Sequence, residues 1–525
     1  MIDEKLIKNI QSTFSIYGLV LSRTLSVSLT KQLLQINENE REDWLTSIAE
    51  GILSQNLSSP HVEVDHIRNA ITNLVRADLL KDTETLINVI DAYDIPKIRY
   101  DSNRKKFIAE KVGKELYSNA EQKSALFKDR FEMIWYRVLR QELFTPLMFG
   151  KKSGNKIEIT PVENLLSESK TGDVCVIGLL ALLSEDQYYL EGIGGAVKID
   201  LKKANFQDGL IMEGSIVLIN GYYYDEVLHV KSIGYPPPES SNDSRLDFGD
   251  VNTFGGPHPT LLKLSEKLKV HEESNQGGMI VFVSDLWLDN SVVLEKFKTM
   301  LDGLIDIPPI AFVLCGHFLS FPTNETSSAL MKEGFKKLAD LIIQYPVIKE
   351  SSKFIFVPGP CDIGAPKIFP RKPLSKYVIE DIQKAIPNAI FTTNPCRIQY
   401  CTKEIVVYRD DIMIRMCGNT LHFPSGEEST LFNHFAKSII CQSHLAPLTL
   451  SANPVYWKHD SALRLHPTPD LIVVADRYEP YSTIYSNCHV TNPGSFPNNN
   501  FSFKTYVPAA NIIEDCEISS AQRIS

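Results

Sequence analysis

The stretch Met279-Ile280-Val281-Phe282-Val283-Ser284-Asp285-Leu286-Trp287 constrains the fold more than any other. Five apolar residues run without a break almost to an acid. Such a run, preceded by Gly277-Gly278, reads as a strand buried on both faces. Strands of that kind belong to α/β layers whose sheets are covered by helices. A carboxylate at the C-terminal end of a core strand stands where α/β folds carry their chemistry. Residue 287 lies on the same face as Asp285. A histidine there would let the two grip one metal ion, and the residue is Trp287.

Four more buried runs follow, Ile310 to Leu314, Phe354 to Val357, Ile405 to Tyr408 and Leu471 to Ala475. Helix signals at Val292–Leu301 and Leu330–Ile343 lie between them. Residues 260–525 therefore read as an α/β domain. Upstream, 236–259 is rich in Pro, Ser, Gly and Asp and reads as a linker. Between 155 and 235 the apolar period becomes two, and several short strands at close spacing suggest an OB-fold barrel. Gly192-Ile193-Gly194-Gly195 precedes a strand and lacks a phosphate-loop lysine, so it reads as a hairpin turn. Residues 76–154 read as a helical connecting region that includes both a tether and elements packing onto the main body, broken at Asp94-Ile95-Pro96, with a solvated basic turn at 102–106. Residues 1–75 read as a small helical bundle. Leu6, Ile10 and Phe14 share one face; Trp44, Leu45, Ile48, Ala49 and Ile52 repeat at helical spacing, as do Ile67, Ile71, Leu74 and Val75.

The net charge of −10 argues against a protein built to grip nucleic-acid backbone over a broad surface. Tyr222-Tyr223-Tyr224 on the barrel is the one aromatic cluster that could stack bases, and Asp225-Glu226 follows it. The nine cysteines contain no CxxC pair, which points to ordinary reduced thiols and away from zinc knuckles. No apolar run approaches the ~18 residues of a membrane span, and the N-terminus opens an amphipathic helix rather than a signal peptide.

The strand ends carry a recognisable layout: Asp285-Leu286-Trp287, Cys315-Gly316-His317, Gly359-Pro360-Cys361-Asp362, Ser443-His444-Leu445 and Ala475-Asp476-Arg477-Tyr478. It resembles the calcineurin-like phosphoesterases, whose motifs D-x-H, G-D, G-N-H-[D/E], a lone His and G-H-x-H hold two metal ions that activate water. The resemblance implies that Asp285 and His444 are retained ligands. It also implies that Trp287, His317, Pro360, Cys361, Asp476 and Tyr478 stand where ligands are lost. Asp285, His317, His444 and Asp476 could together bind one ion at best, with no carboxylate to bridge a second. In the inert reading Trp287 fills the volume left by the metals and His444 is a hydrogen-bonded structural residue. No catalytic, cofactor or metal residue is therefore assigned.

A helical N-terminus, an OB barrel and a phosphoesterase domain without its metal ligands resemble, in that order, the B-subunits of eukaryotic replicative DNA polymerases. The stretches Phe391 to Cys401, Glu404 to Asp411, Pro454-Val455-Tyr456-Trp457, Asn492 to Pro497, Asp94-Ile95-Pro96 and Glu142 to Pro146 are similar to the epsilon branch of that family. So is the N-terminal domain, which is similar to the helical lid of AAA+ ATPases. The resemblance implies a nuclear, non-enzymatic subunit without a cofactor. Its OB and phosphoesterase domains would hold the zinc-bearing C-terminal domain of the catalytic subunit. Its N-terminal domain would contact the GINS part of the replicative helicase, and DNA contact would be weak or indirect. Two other readings stay open, a metal-dependent phosphoesterase or nuclease and an OB-fold single-strand binder.

Overall fold

The computed structural model describes residues 4–33, 41–53, 86–101, 103–144, 157–184, 187–246, 248–258, 260–323, 326–364, 366–424 and 431–518, with a few positions between 55 and 70. The chain divides into two compact units, Met1–Leu86 and Ile87–Ser525.

In the first unit, helices Glu4–Ile16, Arg23–Leu33 and Arg41–Leu53 enclose an apolar core. Ile10, Phe14, Leu29, Leu45, Ile48, Ala49 and Ile52 are buried there, and Leu6 and Trp44 pack against them. The helical periodicity of the sequence thus becomes a shared face. Ile71, Leu74 and Val75, expected on a further helix, lie outside the described residues, as does the domain boundary expected near 75.

The second unit holds a barrel and a two-sheet sandwich. In the barrel, strand Lys170–Ser184 pairs antiparallel with both Gln187–Glu191 and Ile216–Tyr224. Strand Val227–Gly234 then closes the ring, antiparallel to Ile216–Tyr224 and parallel to Ala196–Asp200. This is the five-stranded closure of an OB-fold. The glycine run lies in the connection between Gln187–Glu191 and its antiparallel partner Ala196–Asp200, as a hairpin should. Gly178 is required by close packing, since a Cβ there would stand 2.5 Å from Leu190 Cγ.

In the sandwich, Ile280–Ser284, Ala311–Cys315, Lys353–Val357 and Ala389–Phe391 run parallel in one six-stranded sheet. The facing six-stranded sheet contains Cys396–Tyr400, Lys403–Arg409 and Leu471–Ala475. Phe282, Val313, Ile355, Ile398, Val407 and Val473 meet between the sheets. Helices Ser291–Gly303 and Ser327–Ile343 cover one outer face and Leu431–Cys441 the other. This layering is that of the calcineurin-like phosphoesterase fold, and it explains why the core strands read as unbroken apolar runs.

Two expectations are corrected. The region after 86 is not a helical connector at its start. Ile87–Asp91 is an edge strand of the sandwich, antiparallel to Cys396–Tyr400, and Ile90 is buried in the core. Its β-branched residues Ile87, Val89 and Ile90 find a partner some 300 positions away, which local periodicity cannot see. Lys97–Asp101 and Lys106–Glu110 then form a hairpin, whose basic turn is held by Asp101 Oδ1 accepting from the Asn103 and Arg104 N–H groups. Helix Ala120–Arg140 follows and packs Phe131, Ile134 and Val138 on the barrel residues Ile177 and Ile216. The segment 236–259 is not a loose linker either. It contains helix Ser241–Leu246, the buried pair Arg245–Glu404, and Phe254, which lies in the sandwich core. Its composition resembles a linker, while a few anchoring side chains fix it in place.

Candidate functional site

The strand Ile280–Ser284 delivers Asp285 to the rim between the two sheets. Asp285 is fully buried and left-handed at φ 59°, a conformation that Asp tolerates better than most residues. Its backbone N–H donates to Cys315 O at 3.0 Å, and its Oδ1 accepts from the His317 N–H at 2.9 Å. The carboxylate is thus locked to the end of the next strand.

The cation facing it comes from the opposite sheet. Arg409 closes the strand Lys403–Arg409, and its side chain is fully buried. Its Nε–H donates to Gly316 O. One terminal nitrogen donates to Asp411 Oδ1 at 2.8 Å and to Ala475 O at 3.1 Å. The other donates to Asp285 Oδ1 at 2.9 Å and lies 3.1 Å from His317 Nδ1. A guanidinium has five N–H donors, and each has an acceptor here. Burial alone would lower the Arg409 guanidinium, but Asp285 and Asp411 outweigh it and keep it firmly charged. Burial alone would raise the Asp285 carboxyl; Arg409 and the His317 contacts outweigh that and hold it well below the usual carboxylate range. Arg477, half exposed, reaches the same cluster, with a terminal nitrogen 3.2 Å from His317 Nδ1.

Asp285 and His317 are therefore neighbours, and the other expected positions serve elsewhere. Asp362 accepts from Gly359 N–H at 2.7 Å and Phe318 N–H at 2.9 Å, and burial raises its carboxyl. Gly316 is obligatory beside it, because a Cβ there would lie 1.8 Å from Asp362 Oδ2. The Pro360 carbonyl accepts from Arg371 at 2.6 Å, and Cys361 is half-buried. Asp476 accepts from the Met413 and Tyr478 N–H groups, both at 2.9 Å, and so caps the helix Ile412–Gly418. Burial raises its carboxyl to about 6. Tyr478 packs against the sandwich core.

His444 belongs to a second network. Its Nδ1 accepts from the Ala446 N–H at 3.1 Å, which leaves Nε2–H to face Asp460 Oδ1 at 3.3 Å. Asp460 also accepts two bonds from Arg130 and lies 3.6 Å from Arg464. Burial first, then Arg130, lowers the imidazole to about 4. Among the described residues the two networks share no hydrogen bond or ion pair.

The fold implies two metal ions, and the residues present do not fit them. Among the described residues no group of three or more His, Cys, Asp or Glu is placed to hold a metal. The expectation that Asp285, His317, His444 and Asp476 could share one ion is corrected. His444 is committed to Asp460 and Asp476 to a helix end. The group against Asp285 is the Arg409 guanidinium, while Trp287 packs half-buried on the core under the outer helices. Reading the sequence missed Arg409, whose one signal is an arginine ending an apolar strand, Ile405-Val406-Val407-Tyr408-Arg409.

On the barrel, Tyr222 and Tyr224 are 41% and 55% exposed. Tyr222 stacks on His229, with ring centroids 5.0 Å apart, and Lys231 beside it is paired with Asp173 at 2.6 Å.

Three family models match the chain. DNA polymerases epsilon N terminal matches residues 2–74, and the OB-fold domain of DNA polymerase epsilon subunit 2-like proteins matches 120–237. The B-subunit family of DNA polymerases alpha and epsilon matches 280–483. Similar proteins include DNA polymerase epsilon subunit 2 of Bos taurus and of Homo sapiens, each 41% identical over 99% of both chains. The DNA polymerase epsilon B-subunit of Arabidopsis thaliana is 35% identical over 88% of this chain and 90% of its own. Among solved structures, an archaeal phosphodiesterase matches at 12% identity over 46% of this chain and 99% of its own, with a TM-score of 0.25. A Pyrococcus horikoshii hypothetical protein matches at 9% identity over 47% and 90%, with a TM-score of 0.27. Scores this low carry nothing about activity. With full-length identity at this level, the chain belongs to the DNA polymerase epsilon subunit 2 family.

Proposed function

We propose that this chain is the accessory subunit of DNA polymerase epsilon and acts as a scaffold without chemistry of its own. The barrel and sandwich hold the zinc-bearing C-terminal domain of the catalytic subunit. The N-terminal helical unit contacts the GINS part of the replicative helicase, and the complex works in the nucleus. The observation that carries the non-enzymatic reading is Arg409. A permanently charged guanidinium occupies the acceptors that a catalytic ion would need, and it offers no ligand atom itself. Vestigial positions Asp285, Trp287, His317, Pro360, Cys361, His444, Asp476 and Tyr478 are then structural.

Copurification tests the scaffold. The chain expressed with the C-terminal domain of its catalytic subunit elutes as a stable complex; a chain that stays monomeric in that mixture refutes the reading. Manganese-dependent turnover of a phosphodiester, lost on Asp285→Ala, would replace it with an enzyme.

Exposed Tyr222 and Tyr224 favour one second reading, single-strand contact by the barrel. It requires binding that weakens steeply with salt and on Tyr224→Ala.

A further inference from the structure

The acceptors around Arg409 have an unusual composition. They are two carboxylates, Asp285 and Asp411, one imidazole nitrogen, His317 Nδ1, and two backbone carbonyls, Gly316 and Ala475. Four chain segments contribute them, from the ends of strands in both sheets. His317 Nδ1 faces two guanidinium groups, Arg409 and Arg477, which can only donate. The same nitrogen lies 3.4 Å from Asp285 Oδ1, so it sits at the centre of the cluster. Asp285 keeps a second buried oxygen, Oδ2, that accepts no hydrogen bond among the described residues. Carboxylate, imidazole and carbonyl together are the donor set of a divalent first-row ion, yet the centre is filled by an arginine.

We propose that Arg409 is a resident cation: its guanidinium takes the place of a metal ion at the strand ends, excludes divalent ions from the native chain, and leaves a divalent-ion site when it is removed. The tether makes this replacement permanent. A metal ion leaves with chelation or acid, whereas a guanidinium on the strand Lys403–Arg409 cannot leave and does not lose its proton. The fold thereby keeps one positive centre that pulls both sheets together at their rim. Pro360, Trp287 and Tyr478 need supply no acceptor to this arrangement, because the guanidinium's partners come from other positions. Carboxylates left by the deletion of Arg409 would repel each other unless an ion entered. Asp285, His317 and Asp411 would have to close slightly around it, since in the native arrangement they are spaced by the guanidinium. This inference concerns the sandwich alone and does not depend on which partner the chain scaffolds.

The test uses the full-length chain and Co2+, whose visible spectrum reports its ligands. Arg477 is half exposed and could swing into the gap, so the variant is Arg409→Ala/Arg477→Gln. Equilibrium dialysis with Co2+, followed by absorption spectroscopy, is compared among the native chain, this variant, and the variant carrying Asp285→Asn as well. The expected result is a stoichiometric Co2+ with a ligand-field spectrum in the double variant only, together with a Tm that rises with Co2+ concentration. The native chain shows no Co2+ binding that Asp285→Asn removes, and its Tm is unchanged by chelator. If the double variant is recovered unfolded, refolding with Co2+ should restore a cooperative unfolding transition. The proposal is overturned if the native chain binds Co2+ through Asp285. It is also overturned if the folded double variant binds no more Co2+ than the triple variant, or if Co2+ fails to restore an unfolded one.

Discussion

Asp285 and His444, the two residues that the phosphoesterase resemblance marks as ligands, sit in opposite surroundings. Asp285 stays ionised because Arg409, from the facing sheet, is buried against it at 2.9 Å. His444 is kept neutral by burial and by the charges of Arg130 and Arg464, against the pull of Asp460 beside it. In the first network the Asp285–Arg409 pair stays ionised through the pH range where proteins fold. The second contains a group that titrates within it. The lesson is that a retained ligand residue says little about retained chemistry. What decides is the group that has moved into the space between the ligands.

The largest effect should come from breaking the first network. Arg409→Met leaves the Asp285 carboxylate buried without its cation, a class of change that costs about 3–5 kcal/mol. Urea unfolding measures it, and a loss under about 1 kcal/mol would show the pair to be incidental. Gly316→Ala should follow closely, because the new Cβ would sit 1.8 Å from Asp362 Oδ2 and must displace a buried carboxylate.

The second network is separated from the first by its pH dependence. An unfolded imidazole titrates near 6.5, and folded His444 at about 4. The unfolded chain therefore takes the proton first as pH falls. The stability His444 contributes is complete above about 6.5 and gone by about 4, an amount on the order of 3 kcal/mol. Asp476 opposes it. Its folded carboxyl sits at about 6 against an ordinary 3.8, so its buried charge costs stability above 6 and that cost disappears toward 3.8. The stability difference between the native chain and His444→Gln should shrink from pH 6.5 to pH 4. The difference between the native chain and Asp476→Asn should grow over the same range. Equal slopes for the two variants would contradict the assignment.

The smallest effect sharpens the comparison from the other side. Trp287→His restores one ligand type to the strand end. It should produce no manganese-dependent phosphodiester hydrolysis, because Arg409 still fills the centre and 360, 361, 476 and 478 still lack ligands or spend them elsewhere. Measurable turnover by that single variant would mean that the site is nearer to activity than its geometry allows.

Much of the sandwich was legible because its strands are buried on both faces. The apolar runs Met279 to Val283, Ile310 to Leu314 and Leu471 to Ala475 have one physical explanation, and the strands fall on them or one residue later. Ile87–Asp91 was not legible, because five residues of mixed character become a strand only when Cys396–Tyr400 is beside them. The segment 236–259 misled through composition: Arg245 and Phe254 anchor it, and two anchors do not alter an average. The site was half legible. The absence of ligands at Trp287 and Pro360 follows from the letters. The presence of Arg409 does not, because a guanidinium is informative only once the acid across the sheet interface is known.

The most direct test of that charge-closed strand end is a double-mutant cycle between Arg409→Met and Asp285→Asn, measured by urea unfolding. If the guanidinium and the carboxylate hold each other, Asp285→Asn should recover part of what Arg409→Met loses, with a coupling of about 2 kcal/mol or more. Strictly additive losses would contradict the account.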